Sequence, residues 1–178
     1  MAKKDDDLSL IDDIIKDLED YTKNIAKFTA TRIRDELYDE ATKAIQYFYD
    51  DYKPTSYTRN YYNFFEHSFK KVYRNKGTSY FGGIVLSPDF LHDIYRADRD
   101  LVFDLVYSGK HGLFTGTWVR FDDGSQYIKN PPEGIVPYAI TDPSPMQMIE
   151  DKQAEIEKNL DKYIEEAEKK AYAMRKYI

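Results

Sequence analysis

From Leu8 to about Tyr49 the apolar residues Ile11, Ile14, Ile15, Leu18, Tyr21, Ile25, Phe28, Ile33, Leu37, Ala41, Ala44, Ile45 and Phe48 recur mostly at steps of three and four. That period puts them on one side of a helix, with the charged residues between them on the other. Ser9 stands where an N-cap belongs, and Asp5, Asp6 and Asp7 favour a helix N-terminus through the macrodipole. Unbroken, such a helix would reach roughly 60 Å at 1.5 Å per residue. That exceeds the width of a small domain, so the spacing predicts a bend near Thr29-Ala30-Thr31 or an N-terminal half that projects to meet another subunit. The ring of Pro54 excludes Lys53 from the helical region, so the helix is expected to stop near Tyr52.

Residues 142–178 repeat the pattern. Ser144, Pro145 and Gln147 supply an N-cap, a proline at the first helical position and a capping-box partner. Beyond them Ile149, Ile156, Leu160, Ile164, Ala167, Ala171, Met174 and Ile178 mark one apolar face, with a turn skipped at Gln153. Two amphipathic helices at opposite ends of a chain are expected to pack on each other or on a common sheet. A coiled-coil partner in trans is the alternative.

Between them the period shortens. Tyr80 to Ser87 reads as a strand weakened at Gly82-Gly83 and ended by Pro88. Thr117 to Phe121 and Gln126 to Lys129, joined by Asp122-Asp123-Gly124-Ser125, read as a hairpin. Asp98 to Tyr107 reads as a short helix stopped by Gly109, with Leu101, Leu105 and Val102 turned inward. Asn130 to Pro137 is too rich in proline for a helix. The fold class expected is α+β: long N-terminal and C-terminal amphipathic helices flanking a small antiparallel sheet with one short helix. The organisation is a long helix over 1–52, a sheet region with a short helix and loops over 53–141 and a C-terminal helix over 142–178, together one structural domain.

Composition narrows the chemistry. The 178 residues carry a formal charge of -6 and a pI near 5.1, which argues against non-specific nucleic-acid binding because net counterion release would be unfavourable. The basic runs Lys70 to Lys76, Lys169-Lys170 and Arg175-Lys176 read as solvated faces. Zero cysteines exclude disulfides, thiol nucleophiles and thiolate metal sites. The first residues hold no signal-like apolar stretch, and no segment nears the roughly 20 apolar residues that span a bilayer. A cytoplasmic origin without membrane insertion is expected.

Tyrosine (17) and phenylalanine (10) far outnumber tryptophan (1), which suits an assembly surface and equally a small core padded with amphipathic rings. His67, His92 and His111 lack the spacing of a metal motif, and Asp122-Asp123-Gly124-Ser125 lacks the alternating oxygens of a calcium loop. Adjacent carboxylates such as Asp12-Asp13 and Glu165-Glu166 point to different sides of a helix. No catalytic residue, cofactor or metal ligand is expected. A hydrolase built on His111 with Asp98 or Asp104 is a minor alternative.

The densest aromatic patch follows the first helix, in Tyr52-Lys53-Pro54-Thr55-Ser56-Tyr57-Thr58-Arg59-Asn60 leading to Tyr61 and Phe64. Together with the long helix before it, this stretch resembles the proline, aromatic and arginine segment of the tail-completion or head-tail joining (neck) proteins of long-tailed bacteriophages and prophages. Val106 to Gly112 is similar to the glycine-flanked histidine that ends a helix in variants from Gram-positive hosts. The resemblance spans roughly Ala41 to Gly112; Ser56-Tyr57-Thr58 stand where many members have a threonine and a glycine.

It implies a non-enzymatic virion protein, assembled in the host cytoplasm, that forms a homo-oligomeric ring and contacts adjacent neck or tail proteins, with no specific nucleic acid and no membrane. It further implies that Arg59 anchors the joint at Pro54 by pairing with a carboxylate or backbone oxygen and that Tyr57, Tyr61 and Phe64 fill the junction between helix and sheet; separately, the glycine-flanked loop around His111 reads as a turn that can serve as a contact surface. The competing expectation is a cytoplasmic regulatory or scaffolding module that binds a partner through its terminal helices.

Overall fold

A computed structural model of the chain describes residues 3–51, 64, 67–91, 99–111, 117–120, 126–129 and 139–175. In order they form helix α1 (Lys3–Asp51), strands β1 (Phe69–Lys76) and β2 (Ser79–Leu86), a 3-10 turn (Pro88–Leu91) and helix α2 (Arg99–Tyr107). Strands β3 (Lys110–His111), β4 (Thr117–Arg120), β5 (Gln126–Lys129) and β6 (Ala139–Ile140) follow, then helices α3 (Pro145–Lys158) and α4 (Leu160–Tyr172). The fold is α+β and mostly helical. Strands pair two by two: β1 with β2, β3 with β6, β4 with β5. Two compact units result: residues up to Asp39 with Lys70–Val85 and the chain from Lys152 onward, and Glu40–Phe69 with Leu86–Asp151.

The first unit is built on α1, which stays helical through Thr29-Ala30-Thr31. Against it α4 runs antiparallel, since Glu36 meets Tyr163, Arg32 meets Glu166 and Asp17 meets Arg175. The expected mutual packing of the terminal helices therefore holds. The C-terminal helix, however, begins at Pro145 and is interrupted at Asn159, whose amide nitrogen donates to the carbonyls of Glu155 and Ile156 while its side chain also donates to Glu155. The interruption changes the buried face: Tyr163, Ala167 and Ala171 are buried, while Leu160 and Met174, expected on that face, are exposed. Tyr163 wins its place because its ring takes the Arg32 guanidinium at 3.7 Å and its hydroxyl reaches Glu36 at 2.6 Å.

The basic run 70–76 is strand β1. The turn at Gly77, with φ 63°, returns the chain into β2, a two-residue connection that only antiparallel strands permit. Lys71 is not a free surface lysine: its Nζ stands 3.1 Å from Asp35 and 4.1 Å from the Tyr38 ring centre. Strand β2 comes so close to α1 that a Cβ on Gly82 would lie 1.8 Å from the Ala30 carbonyl oxygen. Gly82 and Gly83 had marked a weak point in the strand; Gly82 is where the strand meets the helix.

In the second unit the end of α1 buries Ala41, Ala44, Ile45 and Phe48 among Phe64, Leu91, Phe103, Val106 and Tyr107. Full burial of each large side chain contributes about 1.5–3 kcal/mol. Helix α2 buries Phe103, Val106 and Tyr107, the rings at 103 and 107 tilted at 42° with centres 4.5 Å apart; Val102 and Leu105, expected inward, are half-buried, and the Leu101 side chain, expected inward too, lies outside the described ones. The β4/β5 hairpin pairs as expected, Trp118 opposite Ile128 and Val119 opposite Tyr127. The Ser144 cap forms too: the Gln147 amide donates to Ser144 Oγ at 3.2 Å. The Asp142-Pro143 bond is cis. Among the described residues no helix is long and apolar enough to cross a membrane.

Candidate functional site

The apolar face of α1 runs unbroken through the first unit but is covered along only part of its length. Leu10, Ile11, Ile14, Ile15 and Leu18 are 38–52% exposed, a bare ridge of branched aliphatic side chains. Further on, the same face becomes the floor of a groove of about 560 Å³ through Ile25, Ala26, Thr29 and Ile33, walled by Tyr80 and Phe81 of β2 and by Ile164 of α4. A smaller hollow of about 320 Å³, lined by Ile15, Leu18, Glu19, Thr22 and Thr78, joins the two. Phe81 at the groove lip is 57% exposed. The Thr29 hydroxyl at the floor is buried and has no hydrogen-bond partner among the described residues. A contiguous apolar surface of this kind marks an interaction site.

Charge along the same helix changes sign. Residues 10–20 hold Asp12, Asp13, Asp17, Glu19 and Asp20 against Lys16, whereas 21–34 hold Lys23, Lys27, Arg32 and Arg34 and no acid. Behind the groove a polar cluster fastens α4 to α1. The Glu36 carboxylate accepts from Arg32 at 2.9 Å and from the Tyr163 hydroxyl at 2.6 Å, and Lys152 Nζ lies 3.0 Å away. Burial pulls the Glu36 carboxyl upward, but the hydrogen bonds from Arg32, Tyr163 and Lys152 outweigh it and hold it at about 2.

The second unit contains a buried polar cluster around His111, which is fully enclosed. Three local features assemble it. Gly109, at φ 73°, ends α2, and its carbonyl accepts the Thr141 amide at 2.7 Å. The β3/β6 register sets His111 opposite Ala139, and the chain then brings the Thr141 hydroxyl onto His111 Nε2. Thr141 donates in turn to Asp51 Oδ2 at 2.7 Å, at the last residue of α1. With its proton committed to Asp51, Thr141 Oγ1 accepts from His111, so Nε2 carries a proton. The imidazole lies flat on Phe48, 4.1 Å between ring centres and 7° between planes.

Of the residues singled out by sequence, Pro54, Tyr57, Arg59 and Tyr61 lie outside the described residues. Phe64 is buried between Tyr49 at 6.4 Å and Tyr107 at 5.9 Å. His111 is enclosed rather than presented on a loop, and its partners are Thr141 and Asp51 instead of Asp104, which is exposed; Asp98 lies outside the described residues. Among the described residues no group of three or more His, Asp or Glu side chains is placed to hold a metal ion. Comparison with known proteins gives no matching family model, no matching curated protein and no matching solved structure.

Thr141 and Asp51 carry no motif, and they stand far from His111 in sequence, so only the fold joins them. The ridge was visible from the start, as the first apolar steps of α1. The groove was not, because two of its walls come from β2 and α4.

Proposed function

We propose that the chain is a structural virion protein of the neck or tail-completion type, working through contacts between its own copies and with adjacent virion proteins. The observation that carries this reading is the bare ridge Leu10 to Leu18. A helix face of five large aliphatic residues left in water is unfavourable by about 25 cal/mol for each Å² of apolar surface, and association removes that penalty. The burial of His111 among the described residues, its ring flat on Phe48 and its Nε2 on Thr141, supports a structural role for it.

A scaffold that offers its terminal helices to a host partner is the second reading. It is weakened by the engagement of α4, whose Tyr163, Ala167 and Ala171 are already buried. The test combines two measurements. The purified chain is expected to form a discrete oligomer by mass photometry, and antibody labelling is expected to place it at the neck or tail end of phage particles. A chain that stays single at micromolar concentration and is absent from particles sinks the proposal.

A further inference from the structure

Resting on the reading that copies associate, we infer that the contact joins two different surfaces of the chain: the ridge Leu10 to Leu18 on α1 of one copy seats in the groove of a second copy, floored by Ile25 and Ile33 of α1 and walled by Phe81 of β2 and Ile164 of α4. Three observations converge on a second copy as the occupant. The seam Ile11, Ile15, Leu18, Thr22, Ile25, Thr29 advances by four, three, four, three and four residues, the alternation that lets one helix knob into another. The ridge segment is acidic and the groove segment is basic, so seating one on the other brings opposite signs together, with Asp12 and Asp13 toward Lys27 and toward Lys23 and Arg34, which in their own copy also hold Glu19 and Asp35; in-register parallel pairing instead sets like against like. Finally, the groove is open and apolar at Phe81 and Ile164, of a size for the side chains a helix ridge presents.

Ridge and groove are different surfaces on the same chain, so each copy offers one of each. A contact of this kind either closes between two copies or passes around a ring.

The test uses complementary variants of the full chain. Ile11→Glu with Ile15→Glu spoils the ridge, and Phe81→Glu spoils the groove; all three side chains are half-exposed or more, and unchanged circular dichroism and melting establish that each variant is folded. Each variant alone is expected to associate at least tenfold more weakly than the unaltered chain. Mixed, they are expected to recover a one-to-one pair, because the groove variant still supplies a sound ridge and the ridge variant a sound groove. If either variant associates as the unaltered chain does, or if the mixture stays as weak as its components, the ridge-into-groove contact is overturned while the oligomer itself still supports the structural reading. A single-copy unaltered chain removes both.

Discussion

At the scale of single residues, Thr141 is the pivot of the second unit because its hydroxyl meets two groups at once, the buried His111 Nε2 and the solvent-exposed Asp51 carboxylate. Replacing it with valine keeps the volume but leaves the buried ring N–H unmet, while water can reach the exposed Asp51 carboxylate, so the protein should lose about 1–3 kcal/mol in urea unfolding. Nitrogen NMR of the unaltered chain should show His111 protonated at Nε2; a bare Nε2 would contradict the assigned direction of the hydrogen bond. Gly82 tests the first unit in the same way. A methyl group there meets the Ala30 backbone, which cannot swing aside as a flexible side chain would, so Gly82→Ala should lower stability by about 2 kcal/mol or more. Neither residue advertised this role in the sequence: Thr141 sits in no motif, and Gly82 differed from Gly83 only once α1 lay beneath it.

At the scale of elements, what the sequence disclosed was whatever depends on neighbours within a few positions. The period of α1, the Ser144-Pro145 start of α3, the β4/β5 hairpin and the Gly109 stop of α2 are all local, and all stand in the structure. What it concealed depends on distant partners: the strand nature of 69–76, where Lys71 pairs with Asp35 of α1, the burial of Phe103 and Tyr107 on α2, and the Asn159 interruption ahead of the buried Tyr163. The α1/α4 pairing has a pH signature. Glu36 has an ordinary value of 4.5 and sits at about 2 in the fold, so its contribution is complete above about pH 4.5 and is lost as pH falls through 4.5 toward 2. With a quarter of the side chain reaching solvent, the loss should be about 1–2 kcal/mol, and Glu36→Gln should flatten that part of the acid unfolding curve. Ser144→Ala removes only the cap of α3, for about 1 kcal/mol, with no change in the acid limb.

At the scale of the whole molecule, stability is unevenly spread along α1, and association should even it out. Its last turns are locked by Ala41, Ala44, Ile45 and Phe48, all buried, while residues 10–18 present their apolar side chains to water. A helical segment with little tertiary support beyond the Asp17–Arg175 pair is weakly held in water, so in a single copy this stretch opens at a much lower free energy than the buried last turns. Seating the ridge in another copy couples its opening to dissociation, and mass action then slows exchange in proportion to occupancy. Hydrogen exchange on dilute chain should find the amides of 10–18 far less protected than those of 41–48. Raising the concentration to about ten times the dissociation constant should slow the first set about tenfold and leave the second unchanged. Protection of 10–18 that is already complete in the dilute chain would mean the stripe is covered from within its own copy, and the reason for copies to meet would be gone.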